Sequence, residues 1–335
     1  MKRFAIILII FIFIIFAIPI VFTKTSAVNT NETDENTIEN KIEQVELQDY
    51  NYKQYDTIKL LHKDTNTIEE LPLDEYLLGV VSAEMPATFE QEALNAQAVV
   101  ARTYTIYSIV HNQNKHGEAD ICDDSTCCQA WISKEDRMAR WEENVRNENW
   151  NKITLAVNNT AGKIITYNGE VIDAFFHSNS GGATEAPVNV WGGTNYPYLQ
   201  SVETAGEDAY SQYSSETILS KEELKNKILQ KHSDLVIDYN DSNCISILEY
   251  TESGRVKTIK IGNLNLSGVE VRTLLGLRSA NFSVRIEGDN IKFSVKGYGH
   301  GVGMSQTGAD SMAKSGSNYQ DIIKHFYTGV EIVDM

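Results

Sequence analysis

The segment Ser82-Ala83-Glu84-Met85-Pro86 sets one carboxylate among small and apolar neighbours, with a proline that stops it. A carboxyl held in apolar surroundings keeps its proton to higher pH, because desolvation disfavours the charged form. That property suits a general acid. Two glycine-rich segments are the other candidates for one cleft: His177-Ser178-Asn179-Ser180-Gly181-Gly182, and the run from Gly297 through His300 to Gln306. Glycines let a backbone approach a ligand closely. Ser178, Ser180 and His300 supply neutral hydrogen bonds of the kind a sugar needs, and Trp191 offers a face for a pyranose ring. The run from Gly297 does not follow the dinucleotide-binding spacing, and no strong parallel strand precedes it.

A second constellation is His116, Cys122, Cys127 and Cys128, four soft or borderline ligands within one polar loop. Three thiolates and one imidazole make an ordinary tetrahedral zinc shell, and a closed shell of four leaves no position for an activated water. Adjacent cysteines can share an ion only where the backbone bends. The competing reading is a disulfide, Cys122 with Cys127 or Cys128, the remaining thiol going to Cys244. A thiol nucleophile paired with His116 or His300 is a third reading, disfavoured because no cysteine opens a helix beside a base.

The elements that must position these residues follow from local pattern. Ile58-Lys59-Leu60-Leu61 reads as a strand and Leu73 to Val81 as a short helix after Pro72. Thr88 and Gln91 have capping-box spacing for a helix running to about His111. Residues 133–161 read as helical. Ile164–Tyr167 and Val171–Phe176 read as paired strands around Asn168-Gly169, a strong hairpin signal. A charged helix is predicted near 220–231, with hairpins turning at Ser253-Gly254 and at Gly288-Asp289-Asn290. Ser317 and Gln320 have the spacing to cap the last helix. The expected fold is α+β in two lobes, with helices packed on a mixed or antiparallel sheet and a smaller hairpin-rich insertion lobe at about 206–290.

The chain has 335 residues and a net charge of −17. That balance argues against nucleic acid, which calls for a basic patch. After Lys2 and Arg3, Phe4 to Phe22 is unbroken apolar sequence, roughly 28 Å as a helix against a hydrocarbon core of ~30 Å. Residues 1–23 are therefore expected to be an uncleaved membrane anchor with a cytoplasmic N-terminus. Residues 24–49 are expected to be a flexible acidic stalk, and residues 50–335 the extracytoplasmic domain.

Taken together, Ser82–Pro86, Glu92–Tyr104, Phe176–Gly182, Asn189–Gly193, Leu277-Arg278-Ser279 and Gly297–Gly308 resemble the stage II sporulation protein D family. These are membrane-anchored lytic transglycosylases of spore-forming bacteria. The resemblance covers roughly residues 55–332 and implies Glu84 as the catalytic acid. It also implies that Arg102, Ser178, Ser180 and His300 line the glycan cleft. Some clostridial-type members carry a metal loop between the same two helices, which implies structural zinc at His116, Cys122, Cys127 and Cys128. The implied substrate is peptidoglycan glycan strands stripped of stem peptides, cleaved during forespore engulfment from the mother-cell engulfing membrane. The implied partners are stage II sporulation proteins P and M. One carboxyl suffices for such an enzyme, because the attacking C6 hydroxyl belongs to the same sugar. A two-carboxylate hydrolase would need a second group, for which Asp173 and Glu185 are the candidates. The alternative from another class is a glycan-binding enhancer of a separate amidase, which shares the domain but has no need of the acid.

Overall fold

The computed structural model describes residues 44–52, 54–111, 115–193 and 196–335. In chain order its elements are β1 (Thr57–His62), β2 (Thr67–Pro72), α1 (Leu73–Glu84), α2 (Gln91–His111), β3 (Ile121–Cys122), α3 (Lys134–Arg140), α4 (Glu143–Asn159), β4 (Lys163–Tyr167), β5 (Glu170–Val171), β6 (Phe176–His177) and α5 (Pro187–Trp191). There follow β7 (Ser214–Ser220), α6 (Lys221–Leu229), β8 (Ile245–Tyr250), β9 (Val256–Ile261), β10 (Leu264–Ser267), α7 (Gly268–Leu275), β11 (Phe282–Glu287), β12 (Asn290–Lys296), β13 (Met304–Ser305), α8 (Gln306–Lys314), α9 (Tyr319–Phe326) and β14 (Glu331–Asp334).

Helix α2 organises the first lobe. Its Ala93, Leu94, Ala96, Ala98, Val99, Val100 and Ala101 are all buried, on every side of the helix. A helix apolar all round must be enclosed, and α1, α4, α8 and α9 together with β4 enclose this one. Small sheets lie around that bundle: β2-β1-β3, β14-β4-β5 and the two-stranded β13-β6. The second lobe has its own apolar core, running from Leu219 to Val295. Its sheets are β11-β12-β7 and β10-β9-β8, carrying α6 and α7. The fold is thus α+β with two lobes; because β12 pairs with β7, the second core runs a few residues past 290.

Several local expectations are met in detail. The hairpin between β4 and β5 turns on Asn168 and Gly169, both at positive φ. Ser220 and Glu223 form a reciprocal capping box on α6. Others shift. The helical stretch 133–161 breaks at Trp141-Glu142 into α3 and α4. The strand expected to run to Phe176 stops pairing with β4 at Val171, and β6 pairs instead with β13 in parallel. Asn318, not Ser317, caps α9 by accepting from the Asp321 amide. Helix α2 starts from the Glu90 carbonyl, and the Glu90 amide donates to Asp310 Oδ1 at 2.6 Å, from 220 residues away. No local spacing rule could supply that cap.

The expected anchor and most of the stalk lie outside the described residues. The stalk's end is ordered: the Val45 amide donates to Asn151 Oδ1 at 2.9 Å and the Gln48 amide to Asn158 Oδ1 at 3.0 Å, which lays this segment along α4. Among the described residues, no helix is long and apolar enough to cross a membrane.

Candidate active site

Glu84 is the last residue of α1, half-buried at the edge of a groove of about 360 Å³. The Met85–Phe89 link between α1 and α2 lines it, together with Arg137 and Trp141 and with Ser178, Gln212, Gln306 and Thr307. Burial pushes the Glu84 carboxyl above its ordinary range, and two hydrogen bonds partly oppose that shift. Those bonds come from the Ala130 amide to Oε1, 2.7 Å, and from the Gln306 side-chain amide to Oε2, 3.3 Å. Both partners donate. A protonated Glu84 therefore keeps its own hydrogen for whatever lies in the groove.

Glu84 is the one carboxylate among the residues described as lining this groove. Asp173, pushed up to about 7 by burial, is not among those lining residues, and its backbone amide donates to the Tyr198 hydroxyl. Glu185 is occupied at the junction of the lobes. It accepts from Thr251, Ser253, Asn189 and the Ala186 amide, and these donors outweigh the burial that would raise it.

Of the residues expected to line a glycan cleft, Ser178 lines the groove at Glu84. Arg102 does not. It is fully buried, paired with Asp74 at 3.2 Å and donating to the Thr160 carbonyl at 2.8 Å. A guanidinium so occupied is a core fixture. Ser180 is also fully buried and gives its hydroxyl to Glu207. His300 lines a smaller pocket with Glu185, Arg255 and Arg272, and its Nδ1 accepts from the Val302 amide at 3.0 Å. Burial first, then the nearby His177 and Arg272, holds His300 well below its usual pKa, so the ring is neutral. Trp191 is exposed but packs at a tilt against Phe175 and His300, ring centres 4.7 and 5.2 Å away, and is not among the residues lining the Glu84 groove. Trp141 holds that place, with the Arg137 guanidinium 4.6 Å from its ring centre. Trp141, Arg137 and Gln212 escaped the sequence reading as groove residues, and Gln306 entered it only as the end of the glycine-rich run.

The cysteine loop leads into the residue that holds Glu84, Cys128 standing two residues before Ala130. His116, Cys122, Cys127 and Cys128 present ligand atoms all within 4.8 Å of one another. His116 Nε2 is 3.2 Å from Cys128 Sγ and 3.9 Å from Cys127 Sγ. Ligands at ~2.0–2.3 Å from a tetrahedral ion lie roughly 3.3–3.8 Å apart, so the donor set suits zinc but, spread over up to 4.8 Å, would have to draw in to close around it. The Cys127 and Cys128 amides both donate to the Asp124 carbonyl, a turn that aims adjacent thiols at one point. All four cysteines are free thiols, and Cys244 belongs to the second lobe's core. Burial raises the Cys128 thiol, which leaves it a poor nucleophile by itself. Downstream, Gln129 donates to the Tyr76 and Thr105 hydroxyls, and Trp131 packs so closely on Gly79 that a Cβ there would meet the indole at 2.1 Å. Ala130 lies between these two packed residues and two residues after Cys128.

Residues 61–167 match the family described as Stage II sporulation protein. The chain is 36% identical over 278 residues to stage II sporulation protein D of Bacillus subtilis, covering 82% of this chain and 78% of that one. It is 35% identical over 270 residues to an uncharacterized protein of Brachyspira hyodysenteriae, covering 80% and 68%. It is 32% identical over 307 residues to the amidase enhancer of Bacillus subtilis, covering 76% of this chain and 40% of the enhancer. This chain belongs to the stage II sporulation protein D family, a family of sporulation and cell-wall proteins.

Proposed function

We propose that this chain is a peptidoglycan lytic transglycosylase that cleaves glycan strands, peptide-stripped ones by the family resemblance, to 1,6-anhydro-N-acetylmuramic acid ends during engulfment. The observation that carries this reading is the solitary carboxylate: Glu84 lines its groove without a second acid among the described residues. Glycosidases of the paired type place two carboxyls about 5–9.5 Å apart across the bond. With one group, the nucleophile must come from the substrate. Protonated Glu84 gives its proton to the glycosidic oxygen. The C6 hydroxyl of the same sugar attacks the anomeric carbon and returns its proton to Glu84, so no water is consumed. Ring closure within one sugar avoids the entropy cost of recruiting a second molecule.

In the same reading, zinc held by His116, Cys122, Cys127 and Cys128 is structural: it fixes the loop that carries Ala130. An N-terminal membrane anchor keeps the domain outside the cytoplasm, and stage II sporulation proteins P and M are the partners. Mass spectrometry of digested glycan tests the reaction. Anhydro ends that disappear in Glu84→Gln support it; free reducing ends overturn it.

The likeness to an amidase enhancer favours a second reading, in which the groove binds glycan for another enzyme. A binding module is indifferent to the charge state of position 84. Stimulation of an added amidase that survives Glu84→Gln, with no cleavage by the wild type, would select it.

A further inference from the structure

Gln306 reaches Glu84 from 222 residues further along the chain, and something must hold it there. Its side-chain amide has two acceptors, Glu84 Oε2 at 3.3 Å and Gln97 Oε1 at 3.5 Å, which together fix its orientation. Its neighbours on both sides, Ser305 and Thr307, give their hydroxyls to one oxygen of Glu207. The direction of those bonds is determined. Ser305 Oγ already accepts from the Gly308 amide, and Thr307 Oγ1 already accepts from Asn179 at 2.8 Å, so each has its own hydrogen left for the carboxylate. The same Glu207 oxygen accepts from the Ser180 amide at 3.0 Å. The other accepts from the Ser180 hydroxyl, from Thr204 at 2.6 Å and from the Gly182 amide at 3.2 Å.

We infer that Glu207, which touches no substrate, is the positioning residue that holds the Gln306 amide against Glu84. This inference rests on the proposed role of Glu84. Glu207 is 1% exposed, and its partners are donors drawn from three separate stretches of chain. A buried carboxylate without bonds to satisfy it is costly; one saturated with donors is rigid. Burial alone would raise its pKa, but the Ser180, Ser305 and Thr204 donors hold it below the ordinary value, so it stays ionised at neutral pH. Glutamine at 207 has the same shape but one acceptor oxygen in place of two, and in either orientation its NH2 would meet a backbone amide that can only donate, Ser180 on one side or Gly182 on the other. The side chain must then shift, and the Ser305 and Thr307 hydroxyls that flank Gln306 lose their common anchor.

The test uses the whole protein as Glu207→Gln, Gln306→Met and the double variant, with Glu84 followed by isotope-edited NMR and assigned through Glu84→Gln. Removing the Gln306 donor takes away a bond to the ionised form, so the Glu84 titration moves up. The expected result is the same upward move in Glu207→Gln, with kcat on glycan strands lowered about tenfold or more and KM nearly unchanged. The double variant is expected to be no slower than the worse single one. Should Glu207→Gln not fold, Thr307→Val removes one donor beside Gln306 and is expected to move the titration in the same direction. A variant that melts earlier yet leaves the Glu84 titration and kcat at wild-type values overturns the inference, as do independent, multiplicative effects in the double variant. Failure of the underlying functional reading is separately visible: the wild type would then not cleave glycan, or Glu84→Gln would cleave it normally, whatever the titration shows.

Discussion

The backbone amide of Ala130 donates to Glu84 Oε1 at 2.7 Å, so the loop that carries the cysteine cluster also grips the acid. Cys128 and Ala130 are two residues apart in sequence. A displacement of the cluster must therefore reach Glu84 unless the anchors at Gln129 and Trp131 absorb it.

Removing zinc from the loaded protein is accordingly expected to lower glycan cleavage by about 10–100-fold, the range seen when outer-shell support of a site is lost. Loss of the Ala130 bond would also move the Glu84 titration up, because that bond favours the ionised form. Metal content by elemental analysis, with activity before and after chelation and zinc return, checks this. Full activity in metal-free protein would refute it.

Glu84→Gln is expected to lose activity about 10²–10⁴-fold, the usual contribution of a general acid. The same substitution is expected to stabilise the fold. Burial raises the native carboxyl, so between its unfolded and folded pKa values the native state holds more protons than the unfolded one. Stability conferred by that proton is complete below the ordinary carboxylate range and declines as pH rises through the folded value. The melting-temperature gain of Glu84→Gln over wild type should therefore grow from acid toward neutral pH. A gain that shrinks with rising pH contradicts a raised Glu84.

Trp141→Ala should weaken glycan binding and spare the proton transfer. An aromatic face contributes about 0.5–1.5 kcal/mol beyond area burial, or roughly 2–10-fold in KM. Trp191→Ala, outside the groove lining, should change KM less. Steady-state kinetics on defined strands separates the two tryptophans, and a larger effect at Trp191 would move the binding face away from Glu84.

Arg102→Met is expected to act on stability. Among the described residues it leaves Tyr52 as the one side chain bonded to the buried Asp74, a loss of about 3–5 kcal/mol for breaking a buried pair. Urea unfolding measures it. An unchanged midpoint with raised KM would return Arg102 to the substrate cleft.

Features that depend on neighbours a few residues away were legible in the chain. Glu84 declared itself through its apolar flanks and Pro86, because desolvation by adjacent residues is a local effect. The His116–Cys128 cluster was legible for the same reason: short spacing and one polar loop bring four ligands together with little help from the rest of the fold. Asn168-Gly169 announced its hairpin through the positive φ that both residues adopt. What the tertiary structure alone decided are contacts across long separations. Gln306 meets Glu84, Asp310 caps α2 and Glu207 gathers its donors across separations that only the folded chain, with α2 enclosed on all sides, brings together. Arg102 shows the converse: on a helix apolar all round, even a guanidinium is carried inward, and periodicity cannot distinguish a charge that faces the core from one that faces a ligand.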